Sequence, residues 1–340
     1  MNKYLMITGS YPPDICGVGD YTACFLKAAD RDKWSLYNSS VWKISTFFQK
    51  KSDISKFQFS HIVIQYPTLG YGWNLLPQLL CIYYSLFTDK KVVVVLHELS
   101  QRTLKAQLAS LLFFISHKVI LTSEYEKEYA HRYYKISLNR MGVVKIVSNI
   151  EACNVIKDWD CRSIDLCYFG LLRPEKGLED FFVAALYLRK NRENARICLI
   201  GQILPEHKLY IDKLLNTYAD ARVEQIYNRE NKEVASLLNE SKVTFLPFPD
   251  GLSERRGSFL AAISNGTLVV SYEGSCTPQL LKTMYVKTSS SEAPKVILKE
   301  ITEGNNSKLV KYQQKYIHYL QNGIPKSWKE VVELYEKILK

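Results

Sequence analysis

Short apolar runs alternate with amphipathic stretches along most of the chain. YLMIT (4–8), SHIVIQYP (60–67) and KVVVVLHE (91–98) are rich in Val and Ile and show little polar alternation. Runs of this kind suit strands buried on both faces of a parallel sheet. The intervening segments 20–29, 74–88 and 102–116 carry helical spacing. KVILT (118–122) predicts another strand. Thr122 or Ser123 then precedes Glu124, Glu126 and Glu128, the residue types that cap and open a helix. VVKIVSN (143–149) is expected to close this half as a strand.

Residues 151–163 are polar and aperiodic and read as a linker. The alternation then restarts. Strands are predicted at 164–170, 195–201, 222–227, 242–248 and 268–272, with helices at 178–189, 206–218, 231–239 and from Ser258 to about Gly266. Strand–helix alternation predicts parallel sheets covered by helices. The expected fold class is therefore α/β: two Rossmann-like, doubly wound domains facing across a cleft. The expected division is 1–155, 156–325 and a C-terminal helix, 326–340. That helix sets Trp328, Val331, Val332, Leu334, Tyr335, Ile338 and Leu339 mostly on one face, which predicts packing back on the first domain. Ligands of such sheets bind beyond the carboxyl ends of the strands, so the cleft is the expected active site.

Composition narrows the class. A chain of 340 residues with 47% hydrophobic and 23% charged residues suits two soluble domains. The first apolar run is too short for a signal peptide, and no stretch approaches the ~20 residues of a membrane span. Eight cysteines form no C-x-x-C pair, and the expectation is reduced thiols in a cytoplasmic protein. The net charge of +11 is uneven: 1–150 holds 18 Lys and Arg against 10 Asp and Glu, while 151–340 holds 27 against 24. A basic first half suits an anionic partner, and a plain solvated basic surface explains it equally well. With the aromatic run CIYYSLF (81–87), it fits weak peripheral docking on an anionic membrane at the inner face of the cell membrane. Ordinary core is the competing reading for most of that run. The aromatics are not interleaved with a basic strip, which argues against nucleic acid.

Candidate chemistry gathers at three places. In YFGLLRPEKGLEDFF (168–182) a buried run turns into a helix through Arg173 and Lys176. A helix start supplies unpaired N–H groups and partial positive charge, so two added cations make an anion site suited to a diphosphate. In GSYPPDICGVGDYT (9–22), Gly17 and Gly19 stand before a helix and let backbone approach a ligand; a structural turn is the alternative. Thr22 stands where a dinucleotide fingerprint needs glycine. In LPFPDGLSERRGSFLAAISNGTLVVS (246–271), Asp250, Arg256, Gly257 and Ser258 lie on a loop opening a helix that Ser258 could cap.

Together with VVVLHEL (93–99) and the terminal SW…LY helix, these blocks resemble the two-Rossmann-domain (GT-B) glycosyltransferases of family 4 over nearly the whole chain. The resemblance implies transfer of a sugar from a nucleotide-diphosphate sugar, with retention at the anomeric carbon. It implies a saccharide or lipid-linked saccharide acceptor, as in bacterial surface polysaccharide or O-antigen synthesis. The nucleotide sugar is a substrate, and no metal or other cofactor is expected. By position, Arg173 and Lys176 would hold the diphosphate and stabilise the leaving group. The Gly17–Gly19 loop would approach phosphates or acceptor, and His97 would contact the sugar; without the family, a satisfied core histidine is the simpler reading of His97. The family's two glutamates fall at Ser253 and Ala261 here, so both carboxylates are missing. The block matches a branch with Asp-Gly-x-Ser-x-Arg-Arg-Gly-Ser, and Asp250, Arg256 and Ser258 are the expected substitutes. DWD (158–160) lies in the linker and is not read as a metal site. Two rivals stay open: a nucleotide-sugar epimerase of the same shape, which would isomerise donor without acceptor, and a non-enzymatic sugar- or nucleotide-binding protein.

Overall fold

The computed structural model describes residues 3–322 and 324–340. The chain divides into two compact units, Met1–Val147 with Pro325–Lys340, and Ser148–Ile324.

The first unit runs β1 (Tyr4–Thr8), α1 (Gly17–Ala28), β2 (Trp34–Asn38), α2 (Phe47–Ser55), β3 (His61–Tyr66), α3 (Leu76–Phe87), β4 (Lys91–Leu96), α4 (Leu104–Leu111), β5 (Lys118–Leu121), α5 (Glu124–Tyr134) and β6 (Met141–Val143). Its six strands are parallel in the order β2-β1-β3-β4-β5-β6. The period of two along each strand decides what each face buries. Leu5, Ile7, Ile62, Ile64, Val92 and Val94 meet α3 through Leu76, Leu80 and Tyr84. Tyr4, Met6, Val63, Val93 and Val95 point the other way, onto Tyr21 and Phe25 of α1. Both faces are covered, which is why these strands read as unbroken apolar runs.

The second unit runs β7 (Ile164–Leu172), α6 (Leu178–Asn191), β8 (Ile197–Ile203), α7 (Lys208–Thr217), β9 (Glu224–Tyr227), α8 (Asn231–Asn239), β10 (Ser241–Leu246), α9 (Gly257–Ser264), β11 (Leu268–Tyr272), β12 (Val286–Thr288), α10 (Ala293–Glu303) and α11 (Asn306–Leu320). Its parallel order is β12-β11-β10-β7-β8-β9. Phe181, Phe182 and Leu188 of α6 form the centre of its core, against Leu166, Tyr168, Leu199 and Phe245. Buried cysteines act as small apolar side chains here and in the first unit: Cys167 Sγ lies 3.1 Å from Thr244 Oγ1, and burial pushes the Cys81 thiol up to about 12.

Two expectations shift. The division falls at Val147/Ser148 rather than after residue 155, because 151–157 is tied to the second unit. Cys153 N–H donates to Asn265 Oδ1 (2.9 Å), Lys157 N–H donates to Asn239 Oδ1 (2.9 Å), and Asn239 Nδ2 donates to Val155 O (2.9 Å). The closing strand of the first unit is Met141–Val143, not 143–149. Val144 N–H still donates to Leu121 O (2.9 Å), and the side chains of Val144 and Val147 pack with Val331, Tyr335 and Leu339. Those three residues belong to the last helix, α12 (Trp328–Leu339), capped by Ser327 Oγ, which accepts from Glu330 N–H. Tyr335 and Tyr21 hydroxyls hydrogen-bond at 2.9 Å and fasten α12 to α1.

Candidate active site

Each sheet contains one place where the strand order reverses: between β1 and β3 in the first, and between β7 and β10 in the second. Helices leave in opposite directions there, which opens a crevice beyond the strands' carboxyl ends. Arg173, Lys176, Asp250 and Arg256 all lie at the second of these points.

The turn after β7 is tight. Glu175 and Gly177 both have positive φ, 65° and 72°, and Gly177 is the N-cap of α6. A Cβ on Gly177 would lie 1.9 Å from Pro247 O, so the turn rests directly on the end of β10. Arg173 and Lys176 are half-buried, and Arg173 Nε is buried with no hydrogen-bond partner among the described residues. An unsatisfied charged donor is expensive to bury, and an anion is the partner that would repay it. The carboxylates in the first turn of α6 do not play that part. Glu179 accepts from Tyr210 Oη (2.6 Å), and Asp180 accepts from Tyr272 Oη (2.6 Å) and Ser290 Oγ (2.9 Å).

The loop after β10 supplies a third cation. The Arg256 guanidinium stacks 4.5 Å over the Phe248 ring and is ion-paired with Asp250. Gly251, at φ 82°, lets this loop approach Gly274: a Cβ there would sit 2.2 Å from Gly274 N. Arg173 and Arg256 converge electrostatically on one phenol. Burial pushes the Tyr168 hydroxyl well above its usual range, and the two guanidiniums pull in the opposite direction. Gly257 and Ser258 are the first two residues of α9. Arg256, not Ser258, is its N-cap, so Ser258 does not cap the helix. Ser253, at the place of one missing glutamate, is buried, and its Oγ has no hydrogen-bond partner among the described residues. Ala261, at the other, is fully buried in α9.

In the first unit, Gly17 and Gly19 are not a loop before the helix but its first turn. Cys16 is the extended N-cap, and Asp20 N–H donates to Cys16 O (2.8 Å). Gly19 faces Ser10 O at 3.0 Å from a would-be Cβ, whereas Gly17 opens on empty space. Asp20 sits beside them with its carboxyl pushed up to about 6 by burial. His97 follows β4 directly. Its Nε2 is 2.7 Å from Gln65 Oε1, and the Tyr21 ring meets it edge-on at 4.8 Å. Sequence reasoning missed the glycines that close this switch point. A Cβ on Gly70 would lie 1.7 Å from Gly9 O, and one on Gly9 would lie 2.4 Å from Thr68 Oγ1. Two glycines, each directly following or near an apolar run, are the only sequence signal for that contact.

DWD forms a 3-10 turn, Trp159–Cys161, with Trp159 buried. Among the described residues no group of three or more His, Cys, Asp or Glu side chains is placed to hold a metal ion.

Two parallel six-stranded α/β sheets, each with its own switch point, define the GT-B fold, and the chain has it. No protein-family model and no curated protein matches the chain. Among solved structures it is similar to Anabaena Alr3699/HepE in complex with UDP and glucose, with a TM-score of 0.74 and 14% identity over 100% of this chain and 99% of that one. A glycosyltransferase from Rickettsia africae ESF-5 gives 0.66 and 14% over 100% of both chains. The N-terminal domain of Candida albicans trehalose-6-phosphate phosphatase gives 0.67 and 10% over 100% and 97%. At these identities the likeness is one of fold, and function has to be argued from the site.

Proposed function

We propose that the chain is a glycosyltransferase that moves a sugar from a nucleoside-diphosphate sugar to a saccharide or lipid-linked saccharide acceptor. The observation that carries this is the partnerless, buried Nε of Arg173 on a helix-opening turn it shares with Lys176. Arg256, on the next loop, acts electrostatically on the same buried phenol as Arg173. A diphosphate fits three cations better than a neutral sugar does. As the bond from the anomeric carbon to the phosphate oxygen breaks, its electron pair stays on that oxygen. Arg173 and Lys176 stabilise the growing charge by fixed electrostatics. HepE, of similar fold, was solved with UDP and glucose, which makes UDP-sugars the first donors to try.

The finer reading follows the family resemblance. Transfer proceeds with retention and without a metal, and Asp250, held by Arg256, accepts from donor-sugar hydroxyls where the family glutamate is missing. Gly17, Gly19 and His97 belong to acceptor or sugar binding at the first unit's strand ends. The setting is synthesis of bacterial surface polysaccharide. No helix among the described residues is long and apolar enough to cross a membrane, so a lipid-linked acceptor would be met from outside the bilayer core.

A thermal-shift series with UDP, ADP, GDP and their glucose conjugates tests the assignment. A ligand at about 100 times its Kd stabilises the folded state by about 2.7 kcal/mol, a readily measured shift. One base should give it, and Arg173→Ala and Lys176→Ala should each lose it. No shift with any nucleotide, or a full shift in Arg173→Ala, refutes the donor site.

A further inference from the structure

Gln65 lies near the end of β3 and is fully buried. It stands two residues on from Val63, and so on the same sheet face, under α1 and α12. A buried amide is costly unless each end finds a partner of the right kind. Its carbonyl oxygen only accepts and its NH2 only donates. The two ends have nearly the same shape, so the neighbours decide which way round the group sits.

Three neighbours decide it. Gln65 Nε2 lies 3.0 Å from Met6 Sδ. A thioether has no hydrogen to give, so only the NH2 end can face it. Burial pushes the Tyr335 phenol well above its usual range, and hydrogen bonds with Tyr21 and Gln65 pull it the other way. A hydrogen bond that eases ionisation of a phenol is one that its oxygen accepts, so the same NH2 group also serves Tyr335. Oε1 is left for the third neighbour, His97 Nε2, at 2.7 Å. An atom that only accepts, at that distance, requires a hydrogen on Nε2. In the neutral ring Nδ1 then carries the lone pair.

The histidine is fixed from other sides as well. Its backbone N–H donates to Tyr66 O (2.8 Å), and Thr122 Oγ1 donates to its carbonyl (3.2 Å). Tyr21, whose ring meets the imidazole edge-on, is bonded through its hydroxyl to Tyr335. The last helix of the chain thus takes part in orienting a side chain at the end of β4.

We infer that Gln65, turned by Met6 and Tyr335, is a positioning residue: it holds His97 as the Nε2–H tautomer and so makes Nδ1 the atom that accepts from a sugar hydroxyl. The sugar contact rests on the functional reading above, whereas the tautomer rests on the core of the first unit alone. A site built to pair a hydroxyl rejects an analogue that lacks it. A deoxy or O-methyl sugar altered at the position His97 reaches should therefore be refused.

The test is a long-range proton–nitrogen NMR spectrum of the full chain with isotope-labelled histidine, at about pH 8, where an unperturbed imidazole is neutral. His97→Asn assigns the signal by its loss. Parent His97 should show the Nε2–H pattern with no substrate present. Gln65→Met replaces the amide by an apolar side chain of similar length. The His97 signal should then move toward a mixture of tautomers, and kcat/KM should fall about ten-fold, as for the loss of one buried hydrogen bond. Affinity for the bare nucleotide should stay at the parent's value. An Nδ1–H pattern in the parent overturns the inference, and so does a folded Gln65→Met protein with the parent's tautomer or the parent's kcat/KM. The parent spectrum decides the tautomer even if Gln65→Met fails to fold. It also decides it if no nucleotide binds, an outcome that refutes the donor reading separately.

Discussion

Replacing Gly177 by alanine strikes the contact on which the donor site depends. The backbone there has φ 72°, where an L side chain strains against its own carbonyl at a cost of roughly 1–2 kcal/mol. The added Cβ would also lie 1.9 Å from Pro247 O, where contacts under 3.0 Å essentially never occur. Turn or strand end must therefore move by about 1 Å, which adds to the strain. Arg173 and Lys176 ride on that turn, and misplacing a binding group by about 1 Å can cost on the order of 100-fold in rate. Gly177→Ala should thus lower the melting temperature modestly and lower kcat/KM about 100-fold, a disproportion that marks displacement of the site rather than unfolding. Titration calorimetry with the nucleotide found by thermal shift, turnover with its sugar conjugate, and a melt on the same sample supply the three readouts. Glu175→Gly is the matched control: it relaxes the other positive φ of the turn and should stabilise by about 1 kcal/mol. Unchanged nucleotide affinity together with an unchanged melt in Gly177→Ala would refute the claim that the turn is pinned to Pro247.

Three further outcomes are expected. Folded Asp20 keeps its proton to about pH 6 against 3.8 for the free side chain, so folding takes up a proton between those values and stability falls as pH rises through that window. Asp20→Asn should then stabilise by about 1–2 kcal/mol at pH 7.5, after allowance for partial solvation, and by nothing at pH 3.5, as read from urea melts at both pH values. Asp250→Asn should weaken nucleotide-sugar binding about ten-fold but leave the bare nucleotide's affinity equal or tighter, since Arg256 loses a competing carboxylate; equal loss for both ligands would deny Asp250 a sugar contact. Gly17→Ala puts a Cβ into empty space on a helix, so it should gain up to about 1 kcal/mol of stability, and a simultaneous loss of turnover would show that a ligand occupies that space.

The central strands were legible because a parallel sheet buries both faces, and runs such as KVVVVL have no other use. β2 and β12 escaped reading for the converse reason: each is an edge with one neighbour, and WSLYN and VKT carry no matching run. α10 does carry a signal, Ala293, Ile297 and Ile301 at helical spacing, which a search for strand–helix alternation passes over. α11 buries little beyond Leu309 and Tyr319, so its face is faint. At the site, the Arg173–Lys176 turn stood out because charge interrupts a strand-to-helix junction. The meeting of Gly9 with Gly70 did not, because strand pairing alone brings such distant positions together. Arg256 was visible as a cation, but its stacking on Phe248 and pairing with Asp250 depend on a loop path that no periodicity encodes.

The first unit is assembled from two separated pieces of chain, with Pro325–Lys340 supplying part of its core. Domains are usually finished in the order in which they leave the ribosome. Here that order is inverted: the unit begun first is completed last, after the continuous unit inserted within it has been made. Until Val331, Tyr335 and Leu339 emerge, Val144, Val147 and the Tyr21–Phe25 side of α1 lack the side chains that complete their packing, and it is in that interval that chaperones would find them.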